Sequence, residues 1–180
     1  MSILPVSSPF DPDGEKWWLK GKTGLAKQLC DAGLFFRALR FQMRFGELTR
    51  APLRIIRLQV KESVAECEWL ARPQDPWDAS LAREIGRRHA ALQALKDAID
   101  VRALIFEMLP QVETARLHAY RECSSHSREM IIAGNVRRED SRFRSVHSLA
   151  MRAKLFGFRF SLENSELSRL SREEQFSAGD

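Results

Sequence analysis

Cys123-Ser-Ser-His126 has the spacing of half a zinc site, a thiol and an imidazole three residues apart. No second Cys/His pair stands at finger-like spacing, and only the distant Cys67 or His118 could converge on it. The simpler reading is a polar turn, so no metal is expected. Cysteine nucleophile chemistry needs a thiolate, a histidine and a third group that orients the base. Cys30, Cys67 and Cys123 can be matched with the four histidines in many ways, so the sequence selects no pairing. Gly21-Lys22-Thr23 ends like a P-loop, whose backbone N–H groups cradle phosphates. That pattern requires a glycine five residues before Gly21, where Lys16 stands, and a preceding strand. It is rejected. Glu66 and Glu68 alternate with Ala65 and Cys67; paired carboxylates can do acid–base work, but at strand spacing they line one wet face. No nucleophile, base and orienting group share a recognisable arrangement. An enzyme therefore ranks third among the readings, and no cofactor is expected.

Cations are the more informative chemistry. Residues 16–61 hold eleven Lys/Arg against Asp31 and Glu47, a net of +9, whereas residues 62–115 have a net of −4. Lys20, Lys27, Arg37, Arg40 and Arg44 are candidates for an anion-binding face, or for pairing with the acidic stretch. A second cluster contains Arg137, Arg138, Arg142 and Arg144, followed by Arg152, Lys154 and Arg159. Phosphate contacts use such side chains, but no base-reading motif accompanies them; a solvated arginine-rich face is the plain alternative. Trp17, Trp18, Trp69 and Trp77 could stack bases, though tryptophans more often pack at core edges. Phe35, Phe36, Phe41 and Phe45 make an apolar surface broader than one small core face covers, with arginines interleaved as at an interface rim. Either the rest of the chain wraps this surface, or a second copy or another protein covers it; a partner is the favoured reading.

Composition sets bounds on these options. The chain has 180 residues, 44% hydrophobic and 29% charged, with a net charge of +5. That suits one compact domain over 16–164 and is far from a disorder signature. Three dispersed cysteines suit a reducing compartment. Residues 1–10 lack the basic start and apolar run of a signal peptide, and no stretch approaches a membrane span. A cytoplasmic location is the expectation.

The elements that must position these residues follow from hydrophobic period. Residues 1–15 read as an irregular lead-in. A helical period from Gly24 puts Leu25, Leu29, Phe36, Leu39 and Met43 near one face up to about Arg40. Residues 53–71 read as a hairpin turning at Lys61-Glu62-Ser63 and using Ile56, Leu58 and Val60 against Ala65, Cys67 and Trp69. The alternative is a helix aligning Leu53, Ile56, Val60, Val64 and Cys67. After an Arg72–Asp78 loop, Asp78 is placed to cap a long helix with Leu81, Ile85, Leu92, Leu95 and Ile99, which could bend at Asp97 and which Pro110 closes. Thr114–Arg121 and Met130–Val136 read as antiparallel strands, with Ala115, Leu117 and Ala119 facing the core. A helix capped by Asp140 or Ser141 then runs to Gly157 with the stripe Val146, Leu149, Ala150, Ala153 and Phe156. Phe158–Leu162 alternates as a last strand, and residues 165–180 read as a polar tail.

The order α-β-β-α-β over residues 97–164, with Ile131-Ile132-Ala133-Gly134-Asn135-Val136 on the second strand, resembles the BON domain. In that family a strand ending in a hydrophobic-x-Gly-x-Val phrase precedes an alanine-rich helix and a final strand. The turn at 122–129 is longer and more polar than that pattern expects, and residues 1–96 fall outside it. The resemblance implies a headgroup- or ligand-binding scaffold without catalysis. The expectation is an α+β protein: an N-terminal basic helical region within 16–96, a hairpin, a long helix, and the 97–164 unit. Its expected role is a non-catalytic intracellular module for an anionic partner, nucleic acid first. A BON-like module at an acidic membrane surface or in a protein assembly is second.

Overall fold

The computed structural model describes residues 33–39, 41, 43, 48–49, 51–74, 76, 80–123, 127–138, 143 and 145–170. Lys20, Lys27, Arg40, Arg44, Phe45, Arg142 and Arg144 lie outside them, as do Trp17, Trp18, Trp77 and the 171–180 part of the tail. The class is α+β, and the described residues form a mixed five-stranded sheet, a two-stranded sheet and three helices.

Alternation of apolar and polar residues makes Arg54–Lys61 and Val64–Leu70 strands β1 and β2, an antiparallel hairpin. Its turn falls at Glu62, whose φ of 51° is left-handed, so the hairpin replaces the alternative helix. The helical alignment would have put Glu66 and Glu68 on turns that also bear the apolar stripe. As a strand, Ala65, Cys67 and Trp69 are fully buried and the glutamates face away.

Helix α1 covers residues 33–39 and packs Phe35 and Leu39 into the core, and Met43, in the turn beyond it, continues that i, i+4, i+8 spacing. The buried face is thus set by Phe35 rather than by Phe36, which is 40% exposed. Helix α2, Arg83–Met108, is continuous. Ala82 stands at its N-cap position, Asp78 lies outside the described residues, and Asp97 does not bend the helix but pairs inside. Its buried apolar residues include Ala91, Ala94, Leu95, Ala98, Val101, Leu104, Ile105 and Phe106, while Leu81 and Ile85 are exposed. The alanines bring the helix close to the sheet, so the seam runs one residue off the stripe of large residues.

Strands β3, Thr114–Glu122, and β4, Arg128–Arg137, pair antiparallel, with Ala115, Leu117 and Ala119 buried as the alternation predicts. α2 carries the chain from β2 to β3, which lie parallel: Cys67 is opposite Leu117 and Trp69 opposite Ala119. Helix α3 is only Leu149–Leu155. Its N-cap is Ser148, whose Oγ accepts from Met151 N at 3.3 Å; Asp140 and Ser141, the expected caps, lie outside the described residues. Val146 precedes it. Gly157, with φ of 93°, stops it as expected. The last strand splits at Phe160: β5, Phe158–Arg159, joins β4 at Gly134, and β6, Ser161–Glu163, pairs instead with β7, Glu166–Ser168. One apolar cluster runs from Phe35 to Leu167.

Candidate functional site

At the carboxyl ends of the parallel strands β2 and β3 the sheet, α2 and β7 enclose a cavity of about 460 Å³. Three arginines reach its rim from separate elements: Arg54 at the start of β1, Arg87 on α2 and Arg121 near the end of β3. Arg121 follows Ala115, Leu117 and Ala119 at period two, so the face that is apolar deeper in the sheet turns cationic where the strand ends. On α2, Arg87, Ala90, Ala91 and Ala94 fall at i, i+3, i+4 and i+7, one side of the helix. Their short side chains leave the volume, and Leu70, Ile131 and Leu167 complete an apolar interior. Gly86 lets Gln74 close that wall: a Cβ there would stand 1.9 Å from the Gln74 amide nitrogen.

The rim arginines are held by carboxylates. Arg121 Nη1 donates to Glu166 Oε1 at 2.7 Å and its Nη2 to Glu129 Oε2 at 3.1 Å. The Arg121 bond holds the half-buried Glu129 carboxyl below its usual range. Arg87 Nε lies 3.4 Å from Glu166 Oε2, and Arg54 Nη1 lies 3.6 Å from Glu122 Oε2. Side chains at this exposure form pairs worth roughly 0–1 kcal/mol each, so an incoming anion can exchange with them.

Behind the cavity a buried network fixes the wall. Arg72 Nε donates to Asp97 Oδ2 at 2.9 Å, its Nη2 to Met43 O at 2.7 Å, and its Nη1 to Ala51 O. Gln93 Nε2 donates to Asp97 Oδ1 at 2.8 Å, and Gln93 Oε1 accepts from Leu48 N at 2.9 Å. Burial pushes the Asp97 carboxyl up; the Arg72 charge and both hydrogen bonds oppose that. Both oxygens accept, as an ionised carboxylate does. The network ties the segment before β1 to α2 and to the end of β2.

The other sheet face carries titratable groups without a catalytic arrangement. His118 stands between Glu68 and Ala133 in the register, and its ring meets Tyr120 edge-on at 6.5 Å. Glu66 is bound by Arg116 at 3.1 Å and lies 3.7 Å from Arg57. Burial lowers the His118 pKa, with Glu68 and Glu66 opposing. No hydrogen bond orients its ring among the described residues. Burial also pushes the Cys67 thiol up to about 12, which leaves no thiolate at neutral pH. Cys123 is a free, half-buried thiol; residues 124–126, His126 among them, lie outside the described residues. Among the described residues no group of three or more His, Cys, Asp or Glu could hold a metal ion.

The sequence-nominated residues are dispersed. Arg37 is exposed on α1. Arg138 donates to Phe106 O at 2.6 Å, to Leu109 O at 2.8 Å and twice to Val112 O, so it closes the carbonyl end of α2. Arg137 is exposed, and its carbonyl accepts from Arg102 Nη2 at 2.6 Å. Phe35 is buried; Phe36 and Phe41 are 40% and 85% exposed. Trp69 is core. The cavity arginines Arg54, Arg87 and Arg121 were not nominated. The signal for Arg121 was its period-two phase, whereas Glu166 lay hidden in the stretch read as tail. Comparison with protein families, curated proteins and solved structures finds no match for this chain.

Proposed function

We propose that this protein is a non-catalytic intracellular binding module for an anionic partner, and that the partner's charge is received at the arginine-rimmed cavity. The observation that carries this reading is the convergence of Arg54, Arg87 and Arg121, from three elements, on the mouth of one largely apolar cavity. Crevices at the carboxyl ends of parallel strands are recurrent ligand sites, and volumes of roughly 300–1,000 Å³ are typical of them. The free thiols of Cys67 and Cys123 support an intracellular setting. Among the described residues no helix is long and apolar enough to cross a membrane. Nucleic acid has less support: on the outer sheet face Arg57 and Arg116 are interleaved with Glu66 and Glu68 rather than forming a basic track.

The test is a thermal-shift panel of inorganic phosphate, short carboxylates, a heparin oligosaccharide and a single-stranded oligonucleotide. At least one anion should raise the midpoint, and Arg87→Ala with Arg121→Ala should remove the shift. A shift that survives both substitutions would refute this site.

A second reading, an assembly surface, is favoured by Leu34, Phe36 and Phe41, which expose 47%, 40% and 85% of their surface. Sedimentation at tens of micromolar should then show a dimer that Phe41→Ser with Phe36→Ser disperses; a wild-type monomer removes this reading.

A further inference from the structure

We infer that the ligand of the cavity is an amphipathic monoanion, a carboxylate on an unbranched aliphatic body, whose head displaces the Glu166 carboxylate from Arg87 and Arg121. This rests on the cavity being the anion site proposed above. Glu166 itself displays the geometry of a bound carboxylate, one oxygen on Arg121 Nη1 at 2.7 Å and the other facing Arg87 Nε at 3.4 Å. The charge balance selects the head group. Arg54, Arg87 and Arg121 are matched by Glu122, Glu129 and Glu166, so lifting Glu166 away vacates a single positive charge. A monocarboxylate restores the balance; a phosphate monoester, carrying about −1.5 to −2, overshoots it.

Displacement costs little in contacts. Glu166, Arg87 and Arg121 have side chains 40%, 52% and 36% exposed, and exposed pairs of this kind are weak, the 2.7 Å bond to Arg121 being the larger of the two to replace. Glu166 sits on a hairpin turned by Asn164 and Ser165, whose φ values of 50° and 66° are both left-handed. Leu167, 3% exposed, anchors that hairpin in the core while Glu166 points to the mouth. Within, Ala90, Ala91 and Ala94 leave a smooth wall, opposed by Leu70 and Ile131, with no charged group to receive a second polar end. Arg72, which also borders the cavity, is already committed to Asp97, Met43 O and Ala51 O. An aliphatic chain meets mostly apolar surface there, with the Gln74 amide at one wall.

The experiment is calorimetric titration of the full chain with acetate, butyrate, hexanoate and octanoate, with inorganic phosphate and 1-octanol as comparators. Affinity should rise roughly fourfold per methylene that enters the cavity, and phosphate and octanol should bind much more weakly than octanoate. Glu166→Gln should tighten octanoate severalfold, since a neutral amide competes less for the arginines. Ala94→Leu should abolish the gain from butyrate to octanoate; its melting curve checks folding, and the Glu166 variant keeps the test sound if it unfolds. Acetate or phosphate binding through Arg87 and Arg121 with no chain-length gain would overturn the aliphatic body yet leave the anion site standing. Octanol binding as well as octanoate, or an unchanged Glu166→Gln, would overturn the displaced carboxylate. Binding of no anion at all would bring down the site as well.

Discussion

Arg72 and Asp97 each have side chains only 1% exposed, so each is the other's means of staying charged away from water. Asp97→Ala should destabilise by about 3–5 kcal/mol, because the guanidinium would remain buried beside two carbonyls. Urea denaturation measures this; a loss below 1 kcal/mol would show that the network is slack. His118 gives a pH dependence. Its folded pKa is depressed by burial, so the unfolded chain takes up the proton first as pH falls. The stability it contributes is full above the ordinary histidine value, about 6.5, and is lost as pH falls through its lowered folded value. Denaturation at pH 7.5 and 5.5 should show that drop, and His118→Gln should flatten it. At this scale the sequence was legible wherever period fixed a face. Ala115, Leu117, Ala119, Cys67 and the outward glutamates all fell as alternation requires. It was not legible for Arg72 or Glu166, since neither the loop nor the supposed tail shows which distant partner a side chain meets.

Elements were readable where a single rule dominated. The β1–β2 hairpin followed from β-branched content and period, although its turn uses Glu62 in place of the usual glycine or asparagine. The length of α3 was misjudged because helical spacing from Val146 onward persists through residues that Ser148 then caps from inside. The β6–β7 hairpin was missed because Ser161–Ser168 is too polar to show apolar alternation, apart from Leu162 and Leu167. Gly134 tests the best-read element. A Cβ there would stand 2.6 Å from the Phe158 ring, and Phe158 is 2% exposed with little room to retreat. Gly134→Val should therefore destabilise by about 1–3 kcal/mol through overpacking. A denaturation midpoint equal to wild type would refute the close β4–β5 packing.

For the whole molecule, the central consequence of the fold is that the parallel pairing of β2 and β3 places both carboxyl ends on one side, where α2 begins. No local pattern reveals that pairing, because the two strands are joined through the 26 residues of α2 and a loop at each end. The residues at those ends, Arg54, Arg87, Arg121 and Glu166, are far apart in sequence and meet only through that topology. The most direct measurement is an NMR titration of the isotope-labelled full chain with octanoate, following backbone amides together with arginine Nε–Hε signals. The largest shifts should fall on Arg87 and Arg121 Nε–Hε and on the amides of Ala90, Ala91, Ala94 and Leu167. Shifts centred instead on Arg57, Arg116 and Arg159 of the outer sheet face, or no shifts at millimolar octanoate, would contradict the assignment of the cavity as the anion-binding site.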